Sequence, residues 1–232
     1  MNFKAYFYWI VAILEIISLT FEIDILHQIC KPLLMIALLI YFWDKSDIRK
    51  DEKWVSFVTL ALAFSWVGDI MLLFTYKHFL FFFAGLTAFL GAHIVFIIAY
   101  RKATFNDKLN FTWSFFPLVV IAYLALMAYL ILPYVDSVIQ VPITLYALIL
   151  ALMVMIAWYR KNQTTDESFQ LVVLGAALFI ISDSILAINR FSHTIPYAGV
   201  AVMGTYIIAQ WLIVNGLLKH RKTKEETSIQ NN

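Results

Sequence analysis

Eight long apolar runs, with most of the charge pushed into the gaps between them, are what constrain this chain most. They lie near 5–23, 25–43, 54–75, 78–100, 112–132, 137–159, 167–189 and 196–218. Each is about the 20 residues that an α-helix needs to cross the hydrocarbon core of a bilayer. Inside lipid only helices and closed barrels satisfy their own backbone, and runs this long and continuous do not suit barrel strands. The expected fold is therefore all-α: one eight-transmembrane-helix domain over 1–220, with a polar cytoplasmic tail over 221–232. Composition agrees, since only 14% of residues are charged, against roughly 25% in a soluble domain.

Lys and Arg in the loops set the orientation. Lys4, Lys45, Arg49, Lys50, Lys53, Arg101, Lys102, Lys108, Arg160, Lys161, Lys219, Arg221, Lys222 and Lys224 all fall on one side, fourteen of the 17 basic residues. Lys31, Lys77 and Arg190 fall on the other. An even helix count with both termini cytoplasmic gives this asymmetry, in what is expected to be the cytoplasmic membrane of a bacterium. The opening run resembles a signal peptide. Glu15 interrupts it, however, and no small-x-small site follows before Glu22 and Asp24, so it is expected to stay as a first helix. The net charge of +2 gives no hint of nucleic acid, and the lone Cys30 excludes an internal disulfide.

Against this background Asp69, in Phe64-Ser65-Trp66-Val67-Gly68-Asp69, and Asp183, in Ser182-Asp183-Ser184, are the least comfortable residues. An ionisable group at membrane depth is costly unless it faces a partner or water, and it marks a functional site by default. The topology places both in the non-cytoplasmic half. Ser65, four residues before Asp69, shares its stripe and is placed to hydrogen-bond it, while Gly68 lets a neighbouring helix approach. Gly85, Phe89 and His93 form an i, i+4, i+8 stripe on helix four. Tyr146 on helix six faces an otherwise apolar wall, Asn189 and Arg190 close helix seven, and Tyr206 and Gln210 lie four apart on helix eight. Lys31-Pro32 reads as the opening of helix two, with a snorkelling lysine and a first-turn proline, and Glu15 is a candidate ion-pair partner for Lys31. Each of these has a dull reading as glue between helices. The spacing from Asp69 to Ala84-Gly85 recurs from Asp183 to Ala198-Gly199, an offset of 114 residues, which suggests two parallel four-helix repeats with a site at their interface.

Other chemistries leave less trace. His27, His78 and His193 fall in or near loops on the non-cytoplasmic side and could join an aspartate around zinc, but no local His spacing supports a metal, and no cofactor is expected. No G-x-S-x-G elbow, Walker loop or H-E-x-x-H motif is present. A proton-coupled carrier would also use paired intramembrane acids; its usual Gly/Pro-broken helices are missing, as Pro117, Pro133, Pro142 and Pro196 lie near helix ends.

Taken together, Lys31-Pro32-Leu33, Gly68-Asp69 with Leu72-Leu73, the Gly85/Phe89/His93 stripe, Ser182-Asp183-Ser184-Ile185-Leu186-Ala187 with Asn189 and Phe191, and Tyr206 with Gln210-x-Leu212-Ile213 resemble the YhhN-like lysoplasmalogenase family. The resemblance covers helices two to eight in order. It implies an eight-helix membrane enzyme that hydrolyses the vinyl ether bond of lysoplasmalogens to a fatty aldehyde and a glycerophospho-headgroup. The expected partners are a lysophospholipid substrate and membrane lipids. Such chemistry calls for one protonated acid and one ionised carboxylate, the expected roles of Asp69 and Asp183 in one shared pocket. Lys31, and more weakly Arg190, would meet the substrate phosphate. His93, Asn189, Tyr206 and Gln210 would orient water, glycerol or the carboxylates, and Phe81, Phe82 and Phe83 would take the alkenyl chain.

Overall fold

The structure, a computed structural model, describes residues 3–46, 53–105 and 114–230, the stretch from 221 by its backbone alone. These residues form α1 (Phe3–Thr20), α2 (Asp24–Lys45), α3 (Lys53–Leu73), α4 (Leu80–Lys102), α5 (Phe116–Ile131), α6 (Ser137–Tyr159), α7 (Asp166–Phe191) and α8 (Ala198–Gln230), with a 3₁₀ turn at Leu132–Tyr134. Eight helices are long and apolar enough to cross a membrane, α5 counted with its 3₁₀ extension. Arg49, Lys50 and Lys108 of the basic set lie outside the described residues. α8 runs on through the expected polar tail to Gln230.

The chain divides into two compact units, Met1–Ala99 holding α1 to α4 and Tyr100–Asn232 holding α5 to α8. In the first unit, α1 stops where Glu22 takes a left-handed φ of 56° and the Ile23 N–H bonds back to the Ser18 carbonyl at 2.8 Å. That is a Schellman-type ending, in which the turned-back N–H satisfies a carbonyl the helix has left open. It separates α1 from α2 within three residues.

Two polar contacts set the register of three helices. Lys4 Nζ meets Asp44 Oδ1 at 2.6 Å, and Trp43 Nε1 donates to Thr59 Oγ1 at 3.0 Å. Pro32 does not stand in the first turn of α2, as expected, but inside the helix. Lacking an N–H, it frees the Gln28 carbonyl, and it puts Lys31 in the third turn rather than at the start.

In the second unit, Thr165 caps α7 by accepting from the Ser168 N–H at 3.1 Å, and Asp166 and Glu167 complement the helix dipole in the first turn. α7 and α8 approach closely through glycine. A Cβ at Gly175 would stand 2.9 Å from the Ala209 carbonyl oxygen, and one at Gly216 would stand 2.7 Å from Val172. At the basic end of this unit Arg160 is fully buried. Its Nη2 donates to the Ala103 carbonyl and to Ser168 Oγ, both at 3.0 Å. Burial pushes the Arg160 guanidinium down to about 10, which leaves it charged at neutral pH.

Candidate active site

Each unit builds one carboxylate centre. In the first, Asp69 lies in the last turns of α3 and is 2% exposed, with Ser65 one turn earlier also buried. Two glycines bring α4 against this turn: a Cβ at Gly68 would meet the Phe89 ring at 2.6 Å, and one at Gly85 would meet Leu72 at 2.8 Å and the Gly68 carbonyl oxygen at 3.3 Å. The expected stripe of Gly85, Phe89 and His93 is therefore the face of α4 that packs on Asp69's own turn, with Phe89 and His93 buried. Tyr8 of α1, wholly buried, lies within electrostatic reach of Asp69. Ser65, Asp69 and His93 are all engaged in polar, ring or electrostatic contacts.

The second centre is a network of hydroxyls. Tyr146 of α6 donates its phenolic hydrogen to Asp183 Oδ2 at 2.5 Å. Tyr123 of α5 pairs with Ser184 Oγ at 2.8 Å, which bonds in turn to the Ile180 carbonyl. Ser182 donates to the Val202 carbonyl of α8 at 2.9 Å, fixing the height of α7 against its neighbour. Tyr206 is buried edge-on against Phe179, ring centroids 5.4 Å apart, and lies near Tyr146, as does Tyr123. Gln210, one turn beyond Tyr206, is buried.

Asn189, Arg190 and Lys31 complete the expected set. Asn189 Oδ1 accepts from the Ile195 N–H at 2.9 Å, so it shapes the loop that follows α7. Arg190 is exposed at the end of α7. Lys31 is half-buried on α2, and the expected Glu15–Lys31 pair does not form. Glu15, fully buried, is bonded instead to His27 Nδ1 at 2.8 Å, in the first turn of α2.

The three outer histidines are each otherwise occupied. His78 Nδ1 accepts from the Leu80 N–H, and His193 meets Ser192 Oγ and the Tyr134 ring. Among the described residues no three His, Cys, Asp or Glu side chains are placed to hold a metal ion.

Tyr8, Tyr123 and the Glu15–His27 pair were not singled out as site residues in the sequence. Tyr8 and Glu15 carried a readable signal, since Tyr8, Val11, Ala12, Glu15 and Ser18 are the helical-period set that α1 buries. Tyr123 carried none, being one aromatic among many in an apolar helix.

The model of the YhhN family matches residues 26–217. Rat lysoplasmalogenase TMEM86B is 27% identical over 190 residues, 82% of this chain and 71% of the relative. The human protein of that name is 30% identical over 162 residues, 68% of this chain and 62% of the relative. The pig protein is 31% identical over 165 residues, 71% and 64%. No solved structure matches the chain.

Proposed function

Because this chain belongs to the YhhN family, we propose that it is a multi-pass membrane hydrolase of the lysoplasmalogenase type, with Asp69 and Asp183 acting on one substrate. The substrate is a lysophospholipid carrying a vinyl ether. A proton passes from a carboxyl to the β-carbon of the double bond, leaving an oxocarbenium ion. Water adds to its positive carbon and gives up a proton to the second carboxylate. The hemiacetal then breaks its bond to the glycerol oxygen, which takes a proton from the second carboxyl while the hemiacetal hydroxyl returns its own to the first, releasing a fatty aldehyde and a glycerophospho-alcohol. Proton donation and water activation by a carboxyl pair is also the division used in glycoside hydrolysis.

The observation that carries this reading is the hydrogen bond from Tyr146 to Asp183. It aims one oxygen of an intramembrane carboxylate and gives it an acceptor's role, so Asp183 is assigned to water and to the developing cation. Asp69, buried on a turn that α4 packs against, is assigned as the acid, since a charge is costly to bury. Ser65 and His93 support Asp69; Tyr206 and Gln210 support Asp183. Lys31 meets the substrate phosphate, with Arg190 a weaker candidate. The loop charges support termini on the cytoplasmic side of a bacterial cytoplasmic membrane and a site toward the opposite face.

The test is aldehyde release by the purified protein from vinyl-ether, saturated-ether and ester lysolipids. Release is expected from the vinyl ether alone, and in D₂O the aldehyde should carry one deuterium at the carbon next to its carbonyl. Equal cleavage of the ester would overturn protonation at carbon as the chemistry.

A further inference from the structure

The mechanism leaves one buried ionisable pair unused, Glu15 with His27. Glu15 is wholly enclosed, while the His27 side chain is 25% exposed. The bond between them occupies Nδ1, so the ring is held with Nε2 directed away from Glu15, whichever partner carries the shared proton. Among the described residues Nε2 has no partner of its own. Lys31 follows four residues later, which puts it on the same face of α2. It too has no ion pair or hydrogen bond among the described residues. An imidazole aimed by a buried carboxylate and an ammonium one turn later are left without an anion among the described residues.

The helix register shows where that anion would sit. Lys4 is level with Asp44, and Trp43 with Thr59. From Lys4 to Glu15, and from Thr59 to Asp69, the helices rise by about 16 and about 15 Å at 1.5 Å per residue. Glu15 and Asp69 therefore stand at one height in the first unit. Counting back along α2 from Trp43, Lys31 is about 18 Å and His27 about 24 Å from the same reference. Lys31 is thus within one turn of Asp69's height, and His27 lies beyond it, toward the end of the helices remote from Lys4. That is where the headgroup of a lysolipid belongs if its vinyl ether is at the height of Asp69 and its chain runs deeper.

We infer that His27, aimed by Glu15, joins Lys31 in gripping the phosphate of the lysolipid headgroup, with Glu15 a positioning residue. This extends the hydrolase reading and rests on it for the identity of the lipid. Its physical part, an oriented imidazole and an ammonium on one phosphate, is a charge-assisted pair of the strong kind.

The test is binding, which needs no turnover. The probes are a saturated alkyl-ether lysophosphoethanolamine, the matching alkylglycerol without phosphate, and inorganic phosphate, measured on the full chain in detergent. Wild type should bind the phospholipid at least tenfold more tightly than the alkylglycerol. His27→Gln should weaken phospholipid binding by about tenfold to a hundredfold, the range for hydrogen bonds to a charged group, and leave alkylglycerol binding unchanged. His27→Arg should restore most of the loss, and Glu15→Gln should give a smaller loss in the same direction.

Equal losses on both lipids would mark His27 as structural and overturn the inference, as would unchanged binding in His27→Gln. Tight inorganic phosphate binding with the same His27 dependence would make this a free-phosphate site and overturn the headgroup assignment. Binding as expected without aldehyde release from a vinyl ether would fault the hydrolase reading instead.

Discussion

Asp69 and Asp183 stand 114 residues apart, one in each four-helix unit, and the two units hold them by different means. Around Asp69 the packing is close: glycines on α3 and α4 let α4 lie against its turn, with the Phe89 ring on Gly68, beside contacts of the carboxylate's own. Around Asp183 it is polar: a phenol donates to the carboxylate, and a serine beside it bonds to the next helix. Gly68 and Ser182 occupy matching places in the two halves, so the same position is used once for close approach and once for a hydrogen bond. The difference suits two carboxyls with different tasks. On the proposed reading the tightly packed one would deliver a proton and the oriented one would receive one.

The sharpest break of the comparison is to neutralise each acid. Asp69→Asn should lower kcat by about 10³ to 10⁴-fold, and Asp183→Asn by at least 10²-fold, the range for acid–base groups, as read by aldehyde release from correctly inserted protein. Tyr146→Phe comes next. Removing one donor to a charged oxygen should cost about tenfold to a hundredfold in kcat, with less change in KM. Ser65→Ala on the other side should cost less.

Smaller effects test the packing. Gly175→Ala puts a methyl group against the Ala209 carbonyl oxygen and the backbone of Ile213, and should destabilise by about 1–3 kcal/mol in thermal unfolding in detergent. Gly204 on α8 has nothing within 4 Å of an added Cβ. There Gly204→Ala should stabilise by about 0.5–1 kcal/mol through helix propensity alone.

The helices were legible because lipid imposes a single rule on length and composition, and α6 matches its expected run to the residue. Their ends were less so. Helix one was expected to reach 23, but a left-handed Glu22 ends it early, a conformation that favours glycine and leaves no signal in the residue type. The carboxylates were legible because a charge in an apolar run is conspicuous. Their partners were less so: Tyr146 was singled out, yet nothing in its spacing says that it reaches Asp183, 37 residues away. Glu15 was assigned to Lys31 on the rule that opposite charges pair. The structure prefers His27, in the first turn of α2, a pairing that residue spacing across two helices does not reveal.

The account depends on the two aspartates working as one device. The direct measurement is aldehyde release by Asp69→Asn, Asp183→Asn and the double variant, compared as a cycle. Groups that act on one transition state lose their effects together, not multiplicatively, so the double variant should be about as slow as the slower single one. Losses that multiply, or either single variant retaining full activity, would contradict it.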